Sequence, residues 1–361
     1  MKHCLILWKT GKDWREDVEI EHNFLLFALF VSFFPQLVAG PIERAKNLLC
    51  QFKEKHIFEA ERVKEGLLIM LWGYFLKLVI ADRIALFVDT VYGGYQNYNG
   101  AMLLMANVLF AFQLYCDFAG YSTIAVGSAK IMGFRLIDNF NAPFLASSTA
   151  QLWRCWHISL STWFKEYLYI PLGGNRKGKV RKYLNLMIVF CVSGLWHGAN
   201  LTFLVWGFLN GLYQVIGELT WGIRQKGKTV LGNQKWVDMV GKLLAVIITF
   251  LLFVSTMVFF RAQNMNDALY IVQKIGGGIG GLSKEMLCSA GLSGANFILL
   301  AMSIAVLLVS DYYKLKKISI YQIINRQKIG IRWGVYLFAI LFIIVFGVYG
   351  ENTGTFIYFA F

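Results

Sequence analysis

Eight apolar runs punctuate the 361-residue chain, at 24–40, 66–91, 101–118, 184–196, 201–221, 243–260, 297–309 and 333–348. Most approach the roughly 18–20 residues needed to cross about 30 Å of hydrocarbon. Inside lipid every backbone N–H and C=O must find a partner within the protein, which leaves helices and closed barrels. Apolar runs of this length without alternation read as helices. The chain is therefore expected to be an all-α polytopic integral membrane protein, a bundle of about eight transmembrane helices. Its residues are 57% hydrophobic and 16% charged, whereas a soluble domain carries about 25% charged residues.

The net charge of +14 would suggest nucleic acid in a soluble protein. Here the cations gather in short loops between the apolar runs, at 44–64, 130–135, 176–182, 224–228 and 314–317. That is how topology is written in membrane proteins: these loops are expected on the cytoplasmic side. Contact with membrane lipids and no nucleic-acid partner follow as expectations. Residues 1–22 form a polar segment without the apolar core of a signal peptide, and 23–361 reads as a single membrane-embedded domain. The six cysteines show no CxxC and no Cys/His cluster, so neither a metal site nor a disulfide framework is expected.

Between 119 and 183 the alternation of spans and loops breaks down, and re-entrant or interfacial helices are expected. Within it, 151–174 has helical periodicity. Trp153, Trp156, Leu160, Trp163, Phe164 and Tyr167 recur at three- and four-residue steps as an aromatic face. Arg154, His157, Ser161 and Lys165 recur as a basic one, and Pro171 with Gly173 and Gly174 stops the helix.

His197, in the stretch SGLWHGAN (193–200), is the first candidate for chemistry. Fifteen residues beyond Lys182 (197 − 182), at 1.5 Å each, place it about 22 Å into the membrane. An ionisable group at that depth must face a cavity or find partners. The alternative is a neutral imidazole bonded between helices. Gly194 and Gly198 leave the backbone open there to another helix or a ligand. His157 reads either as a second functional group or as a solvated residue of the basic face. Arg154, Lys165, Arg176 and Lys177 could hold anionic lipid headgroups or the phosphates of a nucleotide-bearing donor. Asp117, and Asp82 with Arg83 and Lys77, are charges inside apolar runs, structural or water-facing.

Several stretches together resemble the membrane-bound O-acyltransferases, most closely the bacterial alginate O-acetylase branch. They are 23–49, 115–134, 139–179 with its RCWHISLSTWFKEYLYIPLGGN, 191–213 with GLWHGA, VFFRAQN at 258–264 and FIYFAF at 356–361. The resemblance implies that His197 is the principal catalytic residue and His157 the second, with Trp156, Trp196, Asn200 and Asp117 as tunnel or supporting residues. Thr123 stands where this branch usually has an acidic residue after GYS. Family members normally open with roughly a hundred further residues holding additional spans, so a truncated start is expected.

The resemblance also implies the setting, a bacterial cytoplasmic membrane, and the reaction. An acetyl group would pass from acetyl-CoA or another acyl thioester, a co-substrate and not a bound cofactor, towards hydroxyls of an exported alginate-like polysaccharide. The acceptor would be the polymer itself, within an export complex, or a periplasmic or extracellular accessory acetyltransferase. D-alanyl transfer to teichoic acid is the alternative within the class, and a non-catalytic scaffold or acyl conduit the alternative outside it.

Overall fold

The computed structural model describes residues 21–37, 40–222, 235–278, 280–350 and 356. The polar segment up to residue 20, the basic stretch 224–228 and the terminal 357–361 lie outside the described residues. Every regular element described is helical.

α1 (Phe24–Ser32) starts at Asn23, whose Oδ1 accepts from the N–H groups of Leu25 and Leu26 at 3.0 and 3.3 Å. The apolar run 24–40 is not one span. Pro35 has no N–H to give and its ring crowds the preceding turn, so the chain leaves the helix at Phe33 for a 3-10 turn, Phe34–Gln36. α1 alone is about 13 Å long. After α2 (Ala45–Phe52), α3 (Ala60–Tyr74) passes through a π-helical stretch, Phe75–Ala81, into α4 (Asp82–Gly93). The run 66–91 is thus one helical path, widened where it carries Lys77.

α5 (Gly100–Ile131) is a single helix of 32 residues. It continues 13 residues past the expected end at 118 (131 − 118), so the irregular region begins after Ile131. Polar residues such as Asp117, Ser122 and Ser128 hide the apolar periodicity from a reader of the sequence. In the helix, Asp117 and Ser122 are buried and Ser128 donates to the Ala125 carbonyl.

The remaining helices are α6 (Thr149–Cys155), α7 (Ile158–Phe164), α8 (Gly178–His197), α9 (Leu201–Leu219), α10 (Lys235–Arg261), α11 (Met265–Gly276), α12 (Lys284–Ser289), α13 (Gly294–Leu315), α14 (Ile320–Asn325) and α15 (Ile329–Phe346). Four helices among the described residues, α5, α10, α13 and α15, are long and apolar enough to cross a membrane.

Contacts divide the chain into two units, one built from 1–79, 116–139 and 319–347, the other from 80–115, 140–318 and 348–361. In the first, α3 and the end of α5 run antiparallel at backbone contact. A Cβ on Gly66 would lie 2.8 Å from the Gly127 carbonyl oxygen, and one on Gly73 would lie 2.7 Å from that of Gly120. The two glycine pairs are spaced seven residues apart on each helix, so the same faces meet twice. Ion pairs bracket them, Glu65–Lys130 at 2.5 Å and Lys77–Asp117 at 2.6 Å.

Asp117 is 3% exposed, and removing Lys77 takes away the cation paired with a buried carboxylate. Lys77→Met is expected to destabilise the protein by about 3 kcal/mol. The double variant Lys77→Met/Asp117→Leu should recover most of that loss in a detergent-solubilised thermal melt, whereas a pair that contributes nothing would leave both melts unchanged.

Candidate active site

In the second unit, α8 and α9 form a tight antiparallel hairpin with His197 at its turn. The helices meet at backbone distance. A Cβ on Gly194 would collide with the Phe203 carbonyl oxygen, and a Cβ on Gly207 with that of Phe190. At the open end Lys182 pairs with Glu218 at 2.5 Å. Gly194 therefore admits the neighbouring helix, and Gly198, beside His197, admits the Phe203 ring. Asn200 closes the turn: its Oδ1 accepts from Thr202 N–H at 3.2 Å, capping α9, and its Nδ2 donates to the Gln263 carbonyl at 2.9 Å. This fastens the hairpin apex to the segment after α10.

The His197 ring sits among aromatic rings from three stretches of chain. Centroid distances are 5.0 Å to Trp196, 5.3 Å to Trp206, 6.3 Å to Phe203 and 5.0 Å to Phe260. Trp206 and Phe260 also pack on each other at 5.2 Å. These rings limit how the partly buried His197 side chain can turn, which suits a group acting on a positioned substrate.

His157 is not on the solvated face of an interfacial helix. The periodicity of 151–174 predicts one helix, but the chain is broken between α6 and α7. His157 itself occupies the left-handed region, φ 42° and ψ 56°, and is 3% exposed. The cause is tertiary. The Cys155 carbonyl, which a continuing helix would bond to the N–H four residues on, instead accepts from Asn141 N–H at 3.0 Å. The Trp156 carbonyl accepts from the Ser161 hydroxyl at 3.1 Å, and the His157 carbonyl starts α7 by accepting from Ser161 N–H at 2.9 Å. A left-handed non-glycine residue costs of order 1–2 kcal/mol, and such strain concentrates at functional sites.

The break splits the expected aromatic face. Trp153 packs on Phe190, Trp206 and Phe253. Trp156 is buried against Phe140, Phe144 and Phe253, so it is a core residue supporting the break. Trp163 stacks on Tyr167 at 5.1 Å, near the π-helical stretch Lys165–Tyr169.

Trp196 links the two histidines. Its indole lies 6.4 Å from the His157 ring and 5.0 Å from that of His197, so residues forty apart (197 − 157) meet on one side chain. Arg154, Lys165, Arg176 and Lys177 are all exposed. The turn carrying Arg176 and Lys177 is pinned by Asn185, fully buried on α8, whose Nδ2 donates to the carbonyls of Gly174 at 2.9 Å and Leu172 at 3.3 Å. Asp117 belongs to the first unit, in the ion pair described above. Trp206 and Phe260, which wall in His197, escape single-residue reasoning because an aromatic residue in an apolar helix looks like any core position.

The sequence between 17 and 260 matches the model of the membrane-bound O-acyltransferase family. A probable alginate O-acetylase from Pseudomonas aeruginosa is 40% identical over 255 residues, 71% of this chain and 46% of that protein. A peptidoglycan O-acetyltransferase from Helicobacter pylori is 38% identical over 278 residues, 76% of this chain and 50% of that protein. A teichoic acid D-alanyltransferase from Bacillus subtilis is 26% identical over 232 residues, 61% of this chain and 57% of that protein. The chain spans about half the length of the first two relatives.

Proposed function

We propose that this chain, which belongs to the membrane-bound O-acyltransferase family, moves an acetyl group from acetyl-CoA to hydroxyls of an exported polysaccharide, directly or through an accessory protein. The observation that carries the reading is the meeting of His157 and His197 on Trp196, one at a left-handed break and the other at the apex of a helical hairpin. The chain is a membrane protein; the cytoplasmic membrane, with about eight crossings, is the setting proposed for it.

In this reading the thioester enters from the basic side, its phosphates met by Arg176, Lys177, Arg154 and Lys165. His197 takes the proton of the acceptor hydroxyl as general base. The oxygen attacks the thioester carbonyl, the C–S bond breaks, and the proton passes to the leaving thiolate, so that an ester and a free thiol result. His157, buried beside the same indole, orients the acyl carbonyl or shares the proton. His197 acting as a transient acyl carrier gives the same products by two steps.

Acetyl is favoured over D-alanyl because the two acetyltransferase relatives are 40% and 38% identical and the D-alanyltransferase 26%. Membrane vesicles containing the full chain and its accessory proteins, supplied with labelled acetyl-CoA, should place label in alkali-labile esters of the polymer. Label from a D-alanyl carrier thioester and none from acetyl-CoA would establish the D-alanyl reaction instead. Polymer labelling that survives loss of His197 would point to a scaffold.

A further inference from the structure

Asp311 is a buried carboxylate, 5% exposed, near the C-terminal end of α13 and one turn before the basic loop 314–317. Ionisable groups so placed are retained for a task, because burying them is costly. The Tyr115 hydroxyl donates to both its oxygens, at 2.9 and 3.1 Å. One turn further along, Lys314 Nζ donates to the Phe140 carbonyl at 2.8 Å.

These two partners frame the break at His157. The rings of Tyr115 and Phe140 pack on each other at 5.5 Å and on Trp156 at 6.0 and 5.2 Å. Trp156 immediately precedes His157. Phe140 immediately precedes Asn141, whose N–H takes the Cys155 carbonyl out of the helical ladder. α13 thus holds both determinants of the break: the socket that seats the Trp156 ring and the strand of chain that intercepts the Cys155 carbonyl.

We propose that Asp311 and Lys314 are positioning residues that set the left-handed kink at His157, by orienting Tyr115 and by fixing Phe140. The consequence for transfer rests on the proposed role of His157; the consequence for the position of that ring does not. A polar pair in this place accomplishes what apolar packing cannot, since a hydrogen bond fixes direction where side-chain contact fixes only distance.

The test compares Asp311→Leu, Asp311→Asn, Tyr115→Phe and Lys314→Met in the full chain, each confirmed folded by its thermal melt. Two readouts are taken: the transfer rate, and modification of His157 by diethyl pyrocarbonate, with exposed His22 as internal standard. In the wild type His157, 3% exposed, is expected to be protected. Asp311→Leu and Lys314→Met are expected to expose it to the reagent and to lower kcat by about 100-fold with the donor KM unchanged. Asp311→Asn keeps an acceptor for the Tyr115 hydroxyl and should restore protection and most of the rate, which a general loss of stability would not single out. Tyr115→Phe should match Asp311→Leu, and combining them should add little.

Continued protection of His157 in both Asp311→Leu and Lys314→Met would overturn the proposal, as would an Asp311→Asn variant no better than Asp311→Leu. If Asp311→Leu does not fold, Lys314→Met and Tyr115→Phe carry the same two readouts. The expected labelling pattern in a chain that transfers nothing would leave the positioning role standing and remove the acyl-transfer reading.

Discussion

His197→Ala is expected to lower acyl transfer by about 10²–10⁴-fold, the range over which a positioned general base contributes, while leaving the thermal melt nearly unchanged. The first half follows from the hydroxyl chemistry: an alcohol is a poor nucleophile until a base takes its proton. The second follows from the surroundings. His197 is the last residue of α8, the hairpin is held by Gly194 and Gly207 against facing carbonyls, and the rings of Trp206 and Phe260 pack on each other without it. Initial rates at saturating donor, with melts in the same detergent, check both halves. A variant that melts far below the wild type would make His197 a structural residue.

Gly207→Leu should lower the melt and the rate together. A Cβ at this position collides with the Phe190 carbonyl oxygen, a backbone atom that cannot rotate away as a side-chain tip can. The helices must part, with a cost of about 3 kcal/mol or more. Because His197 lies at the apex of this hairpin, separating the helices also displaces its ring, and a shift of about 1 Å can cost about 100-fold in rate. Gly241 on α10 has open space around its Cβ position, so Gly241→Ala should be neutral or stabilising by up to about 1 kcal/mol. Equal melts for the two variants would mean that the α8–α9 contact is looser than described.

The parts legible in the sequence were those that depend on local pattern. Apolar runs and their basic flanks gave helices α5, α10, α13 and α15 approximate positions, and the ionisable His197 among apolar residues identified itself as unusual. What failed was set by contacts between distant residues. The helical period of 151–174 is real, yet Asn141 removes one carbonyl from the ladder and the chain turns at His157; no signal within that segment reports a competitor ten residues upstream. The same limit left Asp311 unremarked: it lies just past the apolar run 297–309, and its partner Tyr115 is far away in sequence. Pro35 is the contrary case: its effect is local, so the interruption of the first run at Pro35 is legible in the sequence, and the helix ends there. The glycines of α3, α5, α8 and α9 were visible as residues, but their pairing across helices requires knowing which helices are neighbours.

His157 and His197, brought to one indole, are expected to act as one centre. The measurement that tests this most directly is the transfer rate of His157→Ala, His197→Ala and the double variant, assayed in parallel with labelled acetyl-CoA and equal amounts of folded protein. Residues that act as a unit are strongly non-additive. The result expected is a double variant hardly slower than the slower single variant. Losses that multiply, so that the double variant falls by the product of the two single factors, would show two groups working independently and would contradict the account.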